Sequence, residues 1–183
     1  LQEGEPLLVM SASEVCFLRA EGALRGWNMG GQTAQQYYEQ GIRVSMEEKK
    51  ATLGNYLSST AHPADYADYE QSYKYSAMST VSPKWDTAAG FEENLERIII
   101  QKWIATYPSG WETWADIRRT GYPKFFPIVD NKSNSTVSSS RGMRRLPFPE
   151  SEKNTNTANV EAAVAMLEGS DTAATDLWWA KKD

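Results

Sequence analysis

Paired carboxylates, aromatic rings in irregular sequence and clustered arginines are the groups of this chain that could do chemistry. Two acids can hydrolyse a glycosidic bond, one protonating the leaving oxygen and the other attacking or activating water. The candidates are Glu92, Glu93 and Glu96 on one predicted helix, Glu112 with Asp116 on the next, and the loop acids Asp65, Asp68 and Glu70. Each has a plainer explanation. Glu92 and Glu93 stand where a helix N-terminus favours negative charge. Glu112 completes a capping box with Ser109. Asp65, Asp68 and Glu70 would offer oxygens to calcium, but the twelve-residue loop pattern is missing, so a solvated loop is expected. The reading is a chain with no catalytic residues, no metal site and no cofactor.

The other reactive side chains are few. There is one histidine, His62, so a Ser-His-Asp triad would have to use it, and a zinc site lacks its usual ligands. The one cysteine, Cys16, lies among Val15, Phe17 and Leu18 in a helical pattern and reads as a small packing residue. The aromatic rings are more promising. A Trp or Tyr face stacks on the C–H face of a sugar while polar neighbours take its hydroxyls. Tyr66, Tyr69, Tyr73, Tyr75 and Trp85 lie in loop-like sequence, and Tyr66, Tyr69 and Trp85 are the candidate ligand-binding residues. Trp103, Trp111 and Trp114 fall at helical core spacing and read as packing. Arg118, Arg119, Arg141, Arg144 and Arg145 could clamp carboxylates, but an ion-paired scaffold answering the many acids is the simpler expectation.

These groups need a frame, and the composition is that of a folded domain. The 183 residues are 40 % hydrophobic and 11 % aromatic, with a net charge of −5. An acidic balance argues against a nucleic-acid binder, which needs a basic face. No apolar run approaches the roughly 18 residues of a membrane-spanning helix. The chain begins at Leu1 rather than at a methionine and shows no signal peptide, so it reads as a piece of a longer protein.

Periodicity predicts a mainly α fold with little β. Ser11 and Ser13 are candidate N-caps of a helix to Leu24, with Glu14 in capping-box position to Ser11. Ala12, Val15, Cys16, Leu18, Ala23 and Leu24 give that helix more than one apolar stripe, so it is expected to be buried on much of its surface. After the Gly26–Gly31 turn, Thr33 and Gln36 form a second capping box. Ala34, Tyr37, Tyr38, Gly41, Ile42, Ser45 and Met46 then line one face. The short turn makes an antiparallel pair over 11–48, and the small residues Gly22, Ala23, Ala34 and Gly41 would let the two helices approach closely. That pairing is like a tetratricopeptide unit. An irregular insertion follows over 51–90, in which residues 73–81 alternate weakly as an extended segment. A second pair covers 91–121, with Phe91, Leu95, Ile98, Ile99 and Trp103 inward, Glu92, Glu93, Glu96 and Gln101 elsewhere, and Gly121 as its stop. A long loop spans 122–156, mobile over 133–140. A last helix covers 157–167, with Val160, Ala163, Val164 and Leu167 inward, and Leu177–Trp179 is expected to be tied to the body.

Several of these segments carry a family resemblance. Ser13-Glu14-Val15-Cys16-Phe17-Leu18-Arg19-Ala20-Glu21-Gly22-Ala23-Leu24 is similar to the helix of SusD/RagB-type nutrient-binding lipoproteins that reads a-E-v-x-f-l-x-A-E-A. The Gly26-Trp27-Asn28 turn and Tyr37-Tyr38-Glu39-Gln40-Gly41-Ile42 resemble that family's next helix. The helix from Glu93 to Ala105, with Gln101-Lys102-Trp103-Ile104-Ala105, resembles its i-x-x-Q-k-w-i-A helix. Trp114-Ala115-Asp116-Ile117-Arg118-Arg119-Thr120-Gly121-Tyr122-Pro123 resembles its W-x-d-x-R-R-T-G-x-P segment. Arg144-Arg145-Leu146-Pro147-Phe148-Pro149, with Glu152 and Asn154, resembles a late R-x-x-y-P-x-x-E stretch.

The resemblance implies a mainly α-helical fold of tetratricopeptide-like helix pairs with long irregular loops. This chain would be the C-terminal portion of such a domain. It also implies a non-catalytic, cell-surface component of a glycan or nutrient uptake complex. The partners would be a SusC-like TonB-dependent transporter and an oligo- or polysaccharide. The protein would sit at the outer membrane, lipid-anchored through an N-terminal segment that this chain lacks, since Cys16 inside a helix does not match the family's lipid-bearing cysteine. A second reading makes this region an interaction scaffold that supports the transporter, with ligand held elsewhere in the protein.

Overall fold

The computed structural model describes residues 8–70 and 72–181, which form two compact units meeting in sequence at Ile117 and Arg118. Helices dominate both, and the strands among the described residues form a single two-stranded sheet.

In the first unit, α1 (Ala12–Leu24) and α2 (Ala34–Glu48) form the expected antiparallel pair. Ser11 Oγ accepts from Glu14 N at 3.1 Å, the N-cap bond its position predicts. Glu14 does not turn back to complete a box. Its side chain is buried, 3.7 Å from Lys102 Nζ. The free amides at the start of α1 are met instead by the last residue of α2. Glu48 accepts from Ala12 N at 2.9 Å and from Ser13 Oγ at 2.6 Å, a carboxylate on the positive end of a helix. At α2, Thr33 and Gln36 form the full reciprocal capping box.

Of the small residues expected to admit close approach, Gly41 does so. A Cβ there would lie 2.8 Å from two ring carbons of Phe17, so α2 passes directly over that ring. Gly22 has a different role. A Cβ there would meet the Met29 Sδ at 2.4 Å, so the space is taken by the connecting turn and not by α2. That turn is held by Tyr37, whose hydroxyl donates to Met29 O at 2.6 Å and accepts from Arg19 at 2.7 Å. Phe17, Ala20, Tyr37, Tyr38, Ile42, Ile98 and Ala105 make the core.

α3 (Phe91–Thr106) packs on α1. Leu95, Ile98 and Ile99 are buried as expected, but Phe91 and Trp103 are about two-fifths exposed, and Glu96 and Gln101 are buried. The reason is a second neighbour that periodicity does not reveal. The 56–63 and 81–89 segments cover α3 from another side, and its polar residues bond to them. Gln101 Nε2 donates to Tyr56 Oη at 3.0 Å, and Asn94 Nδ2 donates to Asp86 O at 3.1 Å. Arg97 is buried between Glu93, at 2.6 Å, and Asn94, at 2.9 Å. Lys102, also buried, bridges Glu14 of α1 and Asp116 of α4 (Gly110–Thr120), the latter at 2.9 Å. Of the tryptophans expected in the core, Trp111 is 72 % exposed, and its ring meets Trp114 edge-on at 5.6 Å. Helical spacing puts these rings on one face of α4, where Trp114 is half-buried and Trp111 faces solvent.

The second unit begins with the last turn of α4, stopped by Gly121 at φ +84°. Within the expected loop, residues 133–140 include a turn laced by Asn131, which donates to Val137 O and Ser139 Oγ, each at 2.8 Å. The short helix α5 (Glu150–Thr155) lies within the span read as loop; its six residues carry no apolar side chain to announce it. In α6 (Thr157–Ala165) and just beyond it, Val160, Ala163, Val164 and Leu167 are half-buried rather than enclosed. Trp179 lies under the Arg118 guanidinium at 4.8 Å, whereas Trp178, expected on the body, is exposed.

Candidate functional site

The loop aromatics separate into two places, both in the first unit. Tyr66 and Ala67 form β1 and Lys74 and Tyr75 form β2, an antiparallel hairpin of two residues a side. Tyr66 stands directly opposite Tyr75. Opposed residues share a face of the ladder, so the two tyrosines lie side by side. Tyr69, in the hairpin loop, is fully exposed, and Tyr66 and Tyr73 are about half exposed.

The acids that sequence offered as calcium ligands stitch this hairpin instead. Asp68 Oδ1 accepts from Tyr73 N at 2.8 Å, and Asp65 Oδ1 accepts from Ala77 N at 2.8 Å. Such bonds fix the backbone of a segment with little apolar support of its own. Among the described residues no group of three or more His, Cys, Asp or Glu side chains is placed to hold a metal ion.

Trp85 belongs to the core edge. Its ring lies 5.2 Å from that of Tyr38, tilted by 51°, and is half-buried. Tyr38 is fully buried and donates to Pro83 O at 2.6 Å, and burial pushes its phenol above the usual range. This pair anchors the 81–86 segment. The structure therefore joins Tyr66 to Tyr75, and joins Trp85 to Tyr38.

A cleft of about 280 Å³ lies beside α3, walled by Ile100, Ile104, Val81 and Pro63, with His62 and Gln101 among its polar groups. Periodicity gave no sign of it, because its walls lie some forty residues apart in sequence. Cys16 is half-buried, and burial raises its thiol pKa, which suits the packing role.

The arginines form the expected ion-paired scaffold, within the second unit. Arg144 Nε meets Asp176 at 2.6 Å, Arg145 Nη1 meets Asp171 at 2.5 Å, and Arg141 also reaches Asp176. Arg118 and Arg144 donate to each other's carbonyls, at 3.3 and 2.8 Å. Burial alone would raise both aspartates. Hydrogen bonds from the arginines, with the Phe148 amide and Lys153 added at Asp171, outweigh it and hold both carboxyls below their usual range.

Paired helices that carry a long loop insertion with solvent-facing tyrosines define a helical scaffold protein that presents its exposed aromatic rings on a loop. The comparisons with known proteins make this specific. The SusD-like family model, described as the SusD and RagB outer membrane lipoproteins, matches residues 1–180. The chain belongs to this family. Among solved structures, a SusD homologue from Bacteroides uniformis is 46 % identical with a TM-score of 0.91, over 100 % of this chain and 38 % of its own. A second, from Bacteroides thetaiotaomicron, is 44 % identical with a TM-score of 0.90, over 100 % of this chain and 40 % of its own. A chitin-binding SusD homologue from Flavobacterium johnsoniae is 43 % identical with a TM-score of 0.87, over 96 % of this chain and 37 % of its own. The chain thus spans less than half the length of these relatives. No curated protein matches it. No helix among the described residues is long and apolar enough to cross a membrane.

Proposed function

We propose that this chain is part of a non-catalytic glycan-binding lipoprotein, a component of a nutrient uptake complex. It is held at the outer surface of the outer membrane by a lipid on a segment outside the chain, and it works with a SusC-like TonB-dependent transporter. The observation that carries this reading is the hairpin: exposed tyrosines on a backbone pinned by Asp65 and Asp68. A ring on a pinned backbone has less entropy to lose on meeting a flat ligand, which is what a sugar platform needs. Family membership and the chitin-binding relative support a saccharide as the ligand class. Tyr66 and Tyr69 are the proposed contacts, and Trp85 adds its half-exposed ring at the core edge.

Affinity electrophoresis of the complete protein on a panel of soluble polysaccharides, chitin oligomers included as competitors, tests the reading. One polysaccharide should retard the protein, with no reducing ends released. Tyr66→Ala or Tyr69→Ala should weaken that retention roughly tenfold, the effect of losing one aromatic anchor. Full retention in Tyr66→Ala, Tyr69→Ala and Trp85→Ala alike would move the ligand site elsewhere and leave this region as transporter-supporting scaffold.

A further inference from the structure

The cleft beside α3 lies at the root of the tyrosine hairpin. One wall comes from residues 59–63, the stretch that leads into β1, and the other from residues 81–83, which the chain reaches after β2. The floor is the part of α3 that carries Ile100, Gln101 and Ile104. Lys84 N donates to Ser59 O at 3.1 Å and Ala77 N donates to Asp65, so the two walls are tied together. Pro83 O accepts from the buried Tyr38 hydroxyl, which fixes the second wall to the core. The cleft thus has its shape before any ligand arrives.

Its lining suits one kind of guest. At about 280 Å³ it stands at the small end of ligand pockets, the size for a single ring. Ile100, Ile104, Val81 and Pro63 offer aliphatic surface to the C–H face of such a ring. Gln101 Nε2 gives one of its two hydrogens to Tyr56 and keeps one for a hydroxyl. Arg97 lines the cleft too. Its Nη1 and Nη2 are taken by Asn94 and Glu93, while its Nε is buried without a hydrogen-bond partner. Buried donors are nearly always met by protein, water or a ligand. Pro63 is three residues before Tyr66, so their Cα atoms are at most about 11 Å apart. We propose that the cleft receives one sugar residue, the terminal unit of a glycan whose next residues cross Tyr66 and Tyr69, so that the protein captures chain ends. The proposal rests on the glycan-binding reading above and adds a second, more enclosed subsite to it.

Isoleucine-methyl NMR of the complete protein tests it, with the Ile100 and Ile104 signals assigned through Ile100→Val and Ile104→Val. The probes are glucose, galactose, mannose, xylose, N-acetylglucosamine and glucuronic acid. At least one should shift both signals saturably, with a Kd on the order of millimolar for so small a ligand. Ala61 and Ile104 are exposed residues of the lining, so larger side chains there narrow the cleft without entering the core. Ala61→Trp and Ile104→Trp should each weaken the response read at Ile100 by about tenfold or more. Retention of the wild-type protein on a polysaccharide, with no probe moving either methyl, would overturn the cleft and leave the hairpin platform in place. Shifts unchanged in both Trp variants would put the sugar elsewhere and overturn it as well. Neither retention nor shift would remove platform and cleft together.

Discussion

A single hydrogen at position 41 decides how closely α1 and α2 approach. Phe17 lies where any Cβ would be, 2.8 Å from its ring carbons, and both residues are buried. Gly41→Ala should therefore destabilise the protein by about 1–3 kcal/mol, the cost of overpacking a filled core, read by urea titration. Gly22→Ala meets the tip of the flexible Met29 side chain, which can swing aside, so its cost should be smaller despite the shorter distance of 2.4 Å. The same contrast sorts the candidate ligand residues. Trp85→Ala removes a ring packed on Tyr38 and should cost about 3 kcal/mol. Tyr69→Ala touches a fully exposed side chain and should stay within about 0.5 kcal/mol, so that any loss of retention reports on ligand alone. Sequence could nominate Tyr69 and Trp85 together because both sit in irregular stretches. It could not separate them, since the Trp85 neighbour, Tyr38, lies 47 positions away.

Between elements, Lys102 is the shared contact. It sits buried on α3 with Glu14 of α1 and Asp116 of α4 on either side. Lys102→Met would leave two enclosed carboxylates without their common cation, which costs about 3–5 kcal/mol. Adding Glu14→Gln to that variant should recover part of the loss, and a double-mutant cycle in thermal unfolding measures it. The positions of the helices other than α5 were legible from caps and periodicity: Ser11, the Thr33–Gln36 box and Gly121 stand where the structure uses them. The inner face of α3 was legible only in part. Periodicity records apolar residues, and it finds Leu95, Ile98 and Ile99. The buried polar residues Asn94 and Gln101 are bonded by the loops from 81–89 and 56–63, Arg97 by Glu93 and Asn94 of its own helix, and Lys102 by acids of α1 and α4, and such partners leave no period in a helix.

At the scale of the whole molecule, the two units should answer acid with opposite signs. Glu14 in the first unit has its pKa raised above the ordinary 4.5, chiefly by burial, so its contribution to stability is present below 4.5 and is lost as pH rises through the raised native value. Asp171 and Asp176 in the second unit are held below the ordinary 3.8, so their contribution is present above 3.8 and is lost as pH falls through the lowered native values. Hydrogen exchange at pH 7 and pH 3, corrected for intrinsic rates, should show the Arg144 amide, bonded to Ala173 O, losing protection in acid before the amides of α1 around Ala20. The division into units was not legible, because it falls inside the continuous helical pattern of α4 and not at a linker. One bond described above also bears on how such a protein changes over time. Glu48, the last residue of α2, is tied to Ala12 and Ser13 at the start of α1, so the ends of the two helices away from their connecting turn are held together. A residue inserted into either one would turn or shift that clasp out of place. Insertions and deletions are then steered into stretches such as 51–90, where the exposed tyrosines lie, and the surface proposed to meet ligands can diversify while the helix pair stays clasped.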